Sequence, residues 1–142
     1  MIIGVPKETT DKELRVGMTP EGIAVLIERG HRVLVEHHAG IGSGIPDTSY
    51  ARKGAEMTMS PDLLYSASDM IVKVKEFQAS EWSRLYSGLT TFSFLSLGAN
   101  PELAGALIKS GVTAIAYETM DCLLYTSPSP RDLSTSRMPS SA

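Results

Sequence analysis

The stretch MIVKVKE, Met70 to Glu76, sets Met70, Ile71, Val72 and Val74 in a short apolar run that ends in lysines. A run of this length, rich in β-branched residues, reads as a buried strand of a parallel sheet. On an extended backbone Lys73 and Lys75 are two residues apart and project to the same side. An ammonium at the carboxyl end of a buried strand lies where open α/β sheets bind small ligands. A second cation, Arg15 in ELRVGMTP (Glu13 to Pro20), stands just before a helix start. A guanidinium and an ammonium converging on one crevice suit a small carboxylate. The ordinary alternative for all three cations is a solvated charge at a strand end.

Outward from this stretch, strands and helices alternate. Ile2 to Val5 reads as a short buried strand closed by Pro6, and Arg32 to Glu36 (RVLVE) as the next. Leu89 to Phe94 and Val112 to Tyr117 are two more. Between them, Thr19-Pro20-Glu21, Ser60-Pro61-Asp62 and Asn100-Pro101-Glu102 each place a capping residue, a proline and an acid at a helix start. Gly30 and Gly111 end two of these helices as left-handed caps. Pro46-Asp47 opens a short helix reaching Lys53, and Glu81 to Leu85 makes one or two helical turns. This alternation predicts an α/β fold with a doubly wound, mostly parallel sheet joined by right-handed crossovers.

The totals fit one soluble domain: 142 residues, net charge −3 and scattered Lys and Arg, which give no footprint for nucleic acid or an anionic membrane. Neither a secretory signal nor a membrane-length apolar run stands in the sequence, so a cytoplasmic location is the expectation. Cys122 is single and offers no internal disulfide. His31, His37 and His38 lack acid or Cys partners at metal-ligand spacing, so no metal site is expected.

From Cys122 the texture changes, with six serines, three prolines and no glycine in 21 residues, a composition that predicts a disordered tail. CLLYTSPSPRD followed by SRMPSSA also resembles the out-of-frame translation of a sequencing-library adaptor. On that reading residues 1–121 are an incomplete domain and residues 122–142 a non-native tail.

Three further segments bear on chemistry. AGIGSG (Ala39 to Gly44) invites a phosphate-loop reading, but Ile45 stands where the dinucleotide fingerprint needs its third glycine. A strand-to-helix turn is the better reading. Ser96, in FLSLGAN past the Leu89–Phe94 strand, faces the carboxyl-edge crevice without a nucleophile elbow around it, and reads as a hydrogen-bonding loop residue. Glu118 is a further crevice acid or an ordinary loop acid, and Tyr117 packs.

Together, Gly4 to Gly44, MIVKVKE and TAIAYET (Thr113 to Thr119) resemble the amino-terminal region of the alanine dehydrogenase and pyridine-nucleotide transhydrogenase family. The resemblance spans residues 1–121, and its TAIAYET block leans towards alanine dehydrogenase. It implies an oxidoreductase interconverting L-alanine with pyruvate and ammonia through NAD, with two doubly wound domains and a homo-oligomeric, commonly hexameric, state. It implies further that Arg15 and Lys75 hold the carboxylate and carbonyl of the 2-oxo acid, and that Lys73 is structural. NAD is held mainly by a domain beyond this segment, so the chain by itself is expected to catalyse nothing and to expose apolar surface.

Two positions depart from the family pattern. Ser96 stands where the family places an acid/base histidine, and a hydroxyl cannot take up a proton at neutral pH as an imidazole can. Lys12 replaces an asparagine. Two alternatives follow: the NAD-binding subunit of a proton-translocating transhydrogenase, which would need a membrane partner, and a catalytically silent oxo-acid- or nucleotide-binding module.

Overall fold

The computed structural model describes residues 1–120. The expected tail from Cys122 onward lies outside the described residues. Six parallel strands form one sheet: β1 (Ile2–Val5), β2 (Arg32–Glu36), β3 (Glu56–Thr58), β4 (Met70–Val72), β5 (Thr90–Ser93) and β6 (Thr113–Ala116). They pair in the order β3-β2-β1-β4-β5-β6, with Val5 beside Val35 and Gly4 beside Ile71. Four helices connect them: α1 (Pro20–Glu28), α2 (Asp47–Arg52), α3 (Pro61–Ala67) and α4 (Pro101–Ser110).

The helix starts form as their capping chemistry dictates. Thr19 Oγ1 accepts from Gly22 N, Ser60 Oγ from Leu63 N and Asn100 Oδ1 from Leu103 N, each satisfying an otherwise orphaned first-turn donor. Gly30 at φ 91° and Gly111 at φ 77° take the left-handed backbone that closes α1 and α4. The strand β3 went unforeseen because its three residues are too short to show a period.

Alternation along the strands builds two cores. Ile3, Val5, Val33 and Val35 face Ile23 of α1 and Tyr50 of α2 on one side. Leu34 and Ile71 face Leu64 and Tyr65 of α3 and Leu103 and Leu107 of α4 on the other. Burial on both faces explains why β1, β2 and β4 read as continuous apolar runs. Gly4 sits in β1 because a Cβ there would strike the side chains of Ser68, Leu64 and Ile71.

The chain leaves β1 for β2 on one side and later returns through β4 on the other. This reversal makes a switch point at the carboxyl ends of β1 and β4, the place where sheets of this order leave a crevice.

Candidate functional site

Arg15 lies on the loop between β1 and α1, and two close backbone approaches fix that loop. A Cβ on Gly17 would lie 2.6 Å from the Val72 carbonyl oxygen, so the loop runs directly against the end of β4. A Cβ on Gly42 would lie 2.7 Å from the Leu14 carbonyl oxygen, and Ser43 Oγ donates to that same oxygen at 2.9 Å. The segment carrying Arg15 is thereby held between the β4 exit and the glycine-rich turn after β2. Glycine at both positions is required by space.

The Arg15 side chain is 63% exposed and lies on the Glu13 carboxylate. Arg15 Nε donates to Glu13 Oε1, Nη2 to Oε2, and the Arg15 backbone N to Oε1, all at 2.9 Å. The side-chain and backbone hydrogen bonds from Arg15 drive the Glu13 carboxyl down to about 2, and the charges of Arg15 and Lys75 add to the effect. The direct contacts to Glu13 come from Arg15, and the Arg15 and Lys75 loops meet through the approach of Gly17 to Val72. Arg15, Glu13, Lys7, Glu8 and His38 border a cavity of about 240 Å³. A larger hollow of about 450 Å³ lies by Pro20, Arg52 and Lys53, but neither Arg15 nor the segment 73–75 lines it.

The two lysines of MIVKVKE do not share a side. The ladder ends at Val72 and the backbone turns at Val74 and Lys75, so alternation stops there. Lys73 is fully buried, whereas Lys75 is half-buried. Lys73 Nζ meets Glu81 Oε1 at 3.0 Å and Glu8 Oε1 at 3.6 Å, so the solvated-charge reading fails for this residue. Glu81 also accepts from Tyr65 OH, Thr9 Oγ1 and Gln78 N, each at 2.8 Å. Burial and the Glu81 charge push the Tyr65 phenol far upward, so it remains a donor. Glu8 then accepts from the backbone N of Val74 at 2.9 Å and of Lys75 at 3.0 Å. One carboxylate on the β1 exit thus fixes the backbone from which Lys75 projects.

The next loop carries a similar clamp. Glu118, just past β6, accepts from Ser96 N at 2.8 Å and from Leu95 N at 3.3 Å. Burial pushes its carboxyl up, but the backbone N–H groups of Glu118, Ser96 and Leu95 prevail and hold it below the carboxylate range. Ser96 is exposed and left-handed at φ 50°, an uncommon backbone for a residue with a Cβ. Its hydroxyl lies at the sheet's carboxyl edge, and the loop is held through its main chain. Tyr117 packs between Phe92 and Phe94 with ring centroids at 4.7 Å and 5.0 Å, and its OH donates to the Lys73 carbonyl.

The turn AGIGSG is a 3-10 turn over Ile41–Ser43. The tight side of Gly42 is filled by Leu14, so this turn does not offer the close backbone approach that a pyrophosphate needs. Fold topology also gathers residues that spacing kept apart. Asp47, at the first position of α2, comes back to His37 and His38 just after β2, correcting the expectation that these histidines lack an acid partner. The acids Glu8, Glu13 and Glu81 were likewise missed. Gln78-x-x-Glu81, a capping-box spacing, was the one local signal for Glu81.

Comparison with known proteins places this geometry. Residues 4–123 match the family described as alanine dehydrogenase/PNT, N-terminal domain. The chain is similar to the alanine dehydrogenase of Bacillus subtilis (strain 168), at 51% identity over 120 residues, 84% of this chain and 32% of that protein. A solved L-alanine dehydrogenase superimposes with a TM-score of 0.81 at 42% identity, over 83% of this chain and 32% of the other. A transhydrogenase from Sinorhizobium meliloti gives 0.76 at 32% identity, over 82% of this chain and 34% of the other. The chain spans about a third of the length of these relatives. Because the match covers most of the chain, including the loops of Arg15 and Lys75, the chain belongs to the alanine dehydrogenase/PNT N-terminal domain family.

Proposed function

We propose that this domain is the substrate-holding part of an NAD-dependent alanine-dehydrogenase-like enzyme, acting on L-alanine, NAD and water to give pyruvate, ammonia and NADH. The observation that carries the reading is the meeting of two loops at one sheet edge, where Gly17 of the Arg15 loop lies against the Val72 carbonyl and Glu8 holds the backbone of Lys75. Glu13 occupies the Nε–Nη2 side of the guanidinium. Among the described residues Nη1 has no such partner, which leaves that end for a ligand and lets Glu13 orient Arg15 towards a second carboxylate. In this reading the substrate carboxylate takes that end of Arg15. The Lys75 ammonium donates to the keto oxygen and draws charge from the carbonyl carbon that ammonia attacks; loss of that oxygen as water leaves an imine, whose carbon takes the hydride to become the Cα of alanine. NAD, in this reading, supplies the hydride chemistry and is held mainly by parts of a longer protein.

Proton transfer is where this chain departs from the pattern its family resemblance implies. Ser96 cannot replace an imidazole with a pKa near neutrality, and absence of a general acid/base costs a factor of about 10²–10⁴. Glu118 is no substitute, because its clamp on Leu95 and Ser96 holds it ionised. Two other readings draw on particular observations: the S. meliloti likeness favours a transhydrogenase subunit, and Ser96 favours a silent oxo-acid-binding module.

The test uses a protein of the relatives' length carrying this domain, assayed for NADH oxidation with pyruvate and ammonium. Turnover that requires ammonium and falls on Arg15→Ala and on Lys75→Ala supports the reading. Hydride exchange between two nicotinamide dinucleotides without ammonium would favour the transhydrogenase. A protein silent with every small oxo acid would end the proposal, and activity gained only on Ser96→His would establish the silent module.

A further inference from the structure

We propose that His37, His38 and Asp47 form a binding site for a divalent transition-metal ion of zinc-like character. The inference is independent of what Arg15 and Lys75 bind. One ligand atom from each residue lies within 4.8 Å of the other two, so a small adjustment brings all three onto one ion. Two imidazoles and one carboxylate are a donor set suited to zinc, nickel or copper, with positions left for water or a further ligand.

The surrounding fold presets the three side chains. His37 N donates to Thr58 O at 2.8 Å, which anchors the first ligand to the β2–β3 ladder. His38 N donates to Asp47 Oδ1 at 2.9 Å, tying the second ligand to the third across nine residues. Asp47 Oδ2 is buried and pairs closely with His37 Nδ1. A cation bound here would take the place of the proton between these two atoms. The two imidazole rings lie face to face, centroids 3.8 Å apart and tilted by 35°.

Backbone conformation supplies a separate observation. His38 adopts φ 67°, the left-handed region that glycine occupies without cost. Histidine reaches this region more readily than most residues with a Cβ, and here that conformation sets its ring beside His37. His38 also borders the cavity that contains Arg15, so an ion at this site would add positive charge at its rim.

The experiment titrates the tag-free chain with zinc chloride alone, by calorimetry and by thermal melting. The expected result is one equivalent bound and a melting temperature that rises with zinc. His38→Gly removes a ligand and relieves the backbone, so it must melt no lower than the parent without metal yet bind zinc at least tenfold more weakly. Asp47→Asn must weaken binding similarly. Zinc affinity and stoichiometry unchanged in His38→Gly, or no zinc binding by the parent chain, would overturn the proposal.

Discussion

Glu8 and Glu118 perform one task in opposite surroundings. Each leaves the end of a strand, reaches the neighbouring loop and accepts two successive backbone N–H groups, Glu8 from Val74 and Lys75 and Glu118 from Leu95 and Ser96. Glu8 is buried beside the Lys73 ammonium, which in turn rests on Glu81 with Tyr65, Thr9 and Gln78 completing its shell. Glu118 is half-buried beside the edge strand β6, with backbone N–H groups as the means of holding its charge. The loop of Lys75 is accordingly built into the core, while the loop of Ser96 is held by one accessible residue. The fold thus fixes the backbone of Lys75 more firmly than that of Ser96.

The largest expected effect falls on the buried side of this comparison. Lys73→Met leaves two buried carboxylates without their cation and should destabilise the domain by about 3–5 kcal/mol. Denaturant unfolding measures it, and a loss below about 1 kcal/mol would show that the two clamps are equally exposed in practice. Gly17→Ala should follow, at about 1–3 kcal/mol, because its Cβ meets the Val72 carbonyl, which cannot swing away as a side chain would. That variant should also separate the Arg15 loop from the Lys75 loop, seen as altered amide shifts at residues 15 and 75 together.

Glu8→Gln keeps the shape but offers one acceptor to two backbone donors, a change of about 1–3 kcal/mol. Glu118→Gln is the smallest, below about 1 kcal/mol, with Ser96 and Leu95 amide exchange accelerating more than exchange elsewhere. Its pH dependence has a definite sign. The folded carboxyl lies below its ordinary 4.5, so the clamp's contribution is complete above that value and is lost as the pH falls through the lower folded value. Glu13 behaves likewise down to about 2, so its contact with Arg15 should outlast most carboxylate pairs in acid.

Strands β1, β2 and β4 were legible because strands buried on both faces read as apolar runs. Thr-Pro-Glu, Ser-Pro-Asp and Asn-Pro-Glu announced the helix starts, whereas the three residues of β3 were too few to show a period. Arg15 and Lys75 were legible as cations beside such boundaries. Lys73 was harder: its alternation with Lys75 assumes a strand that the backbone abandons at Val74. Glu8, Glu13 and Glu81 carry no periodic signal, since an acid on a loop looks alike whether it is solvated or locked beneath three donors. The histidine cluster depends on a turn that returns Asp47 to the end of β2, a contact set by tertiary packing and invisible to spacing rules.

The most direct test of the two-loop grip is a pyruvate titration followed through the Arg15 Nε–H resonance and the backbone amides of Gly17 and Lys75. Saturable shifts at all three sites are the predicted result, with affinity reduced about tenfold by Glu13→Gln, which removes one charge-assisted hydrogen-bonding partner of Arg15. Shifts confined to one loop, or a titration that Arg15→Met and Lys75→Met leave unchanged, would contradict the convergence of these two cations on one small acid.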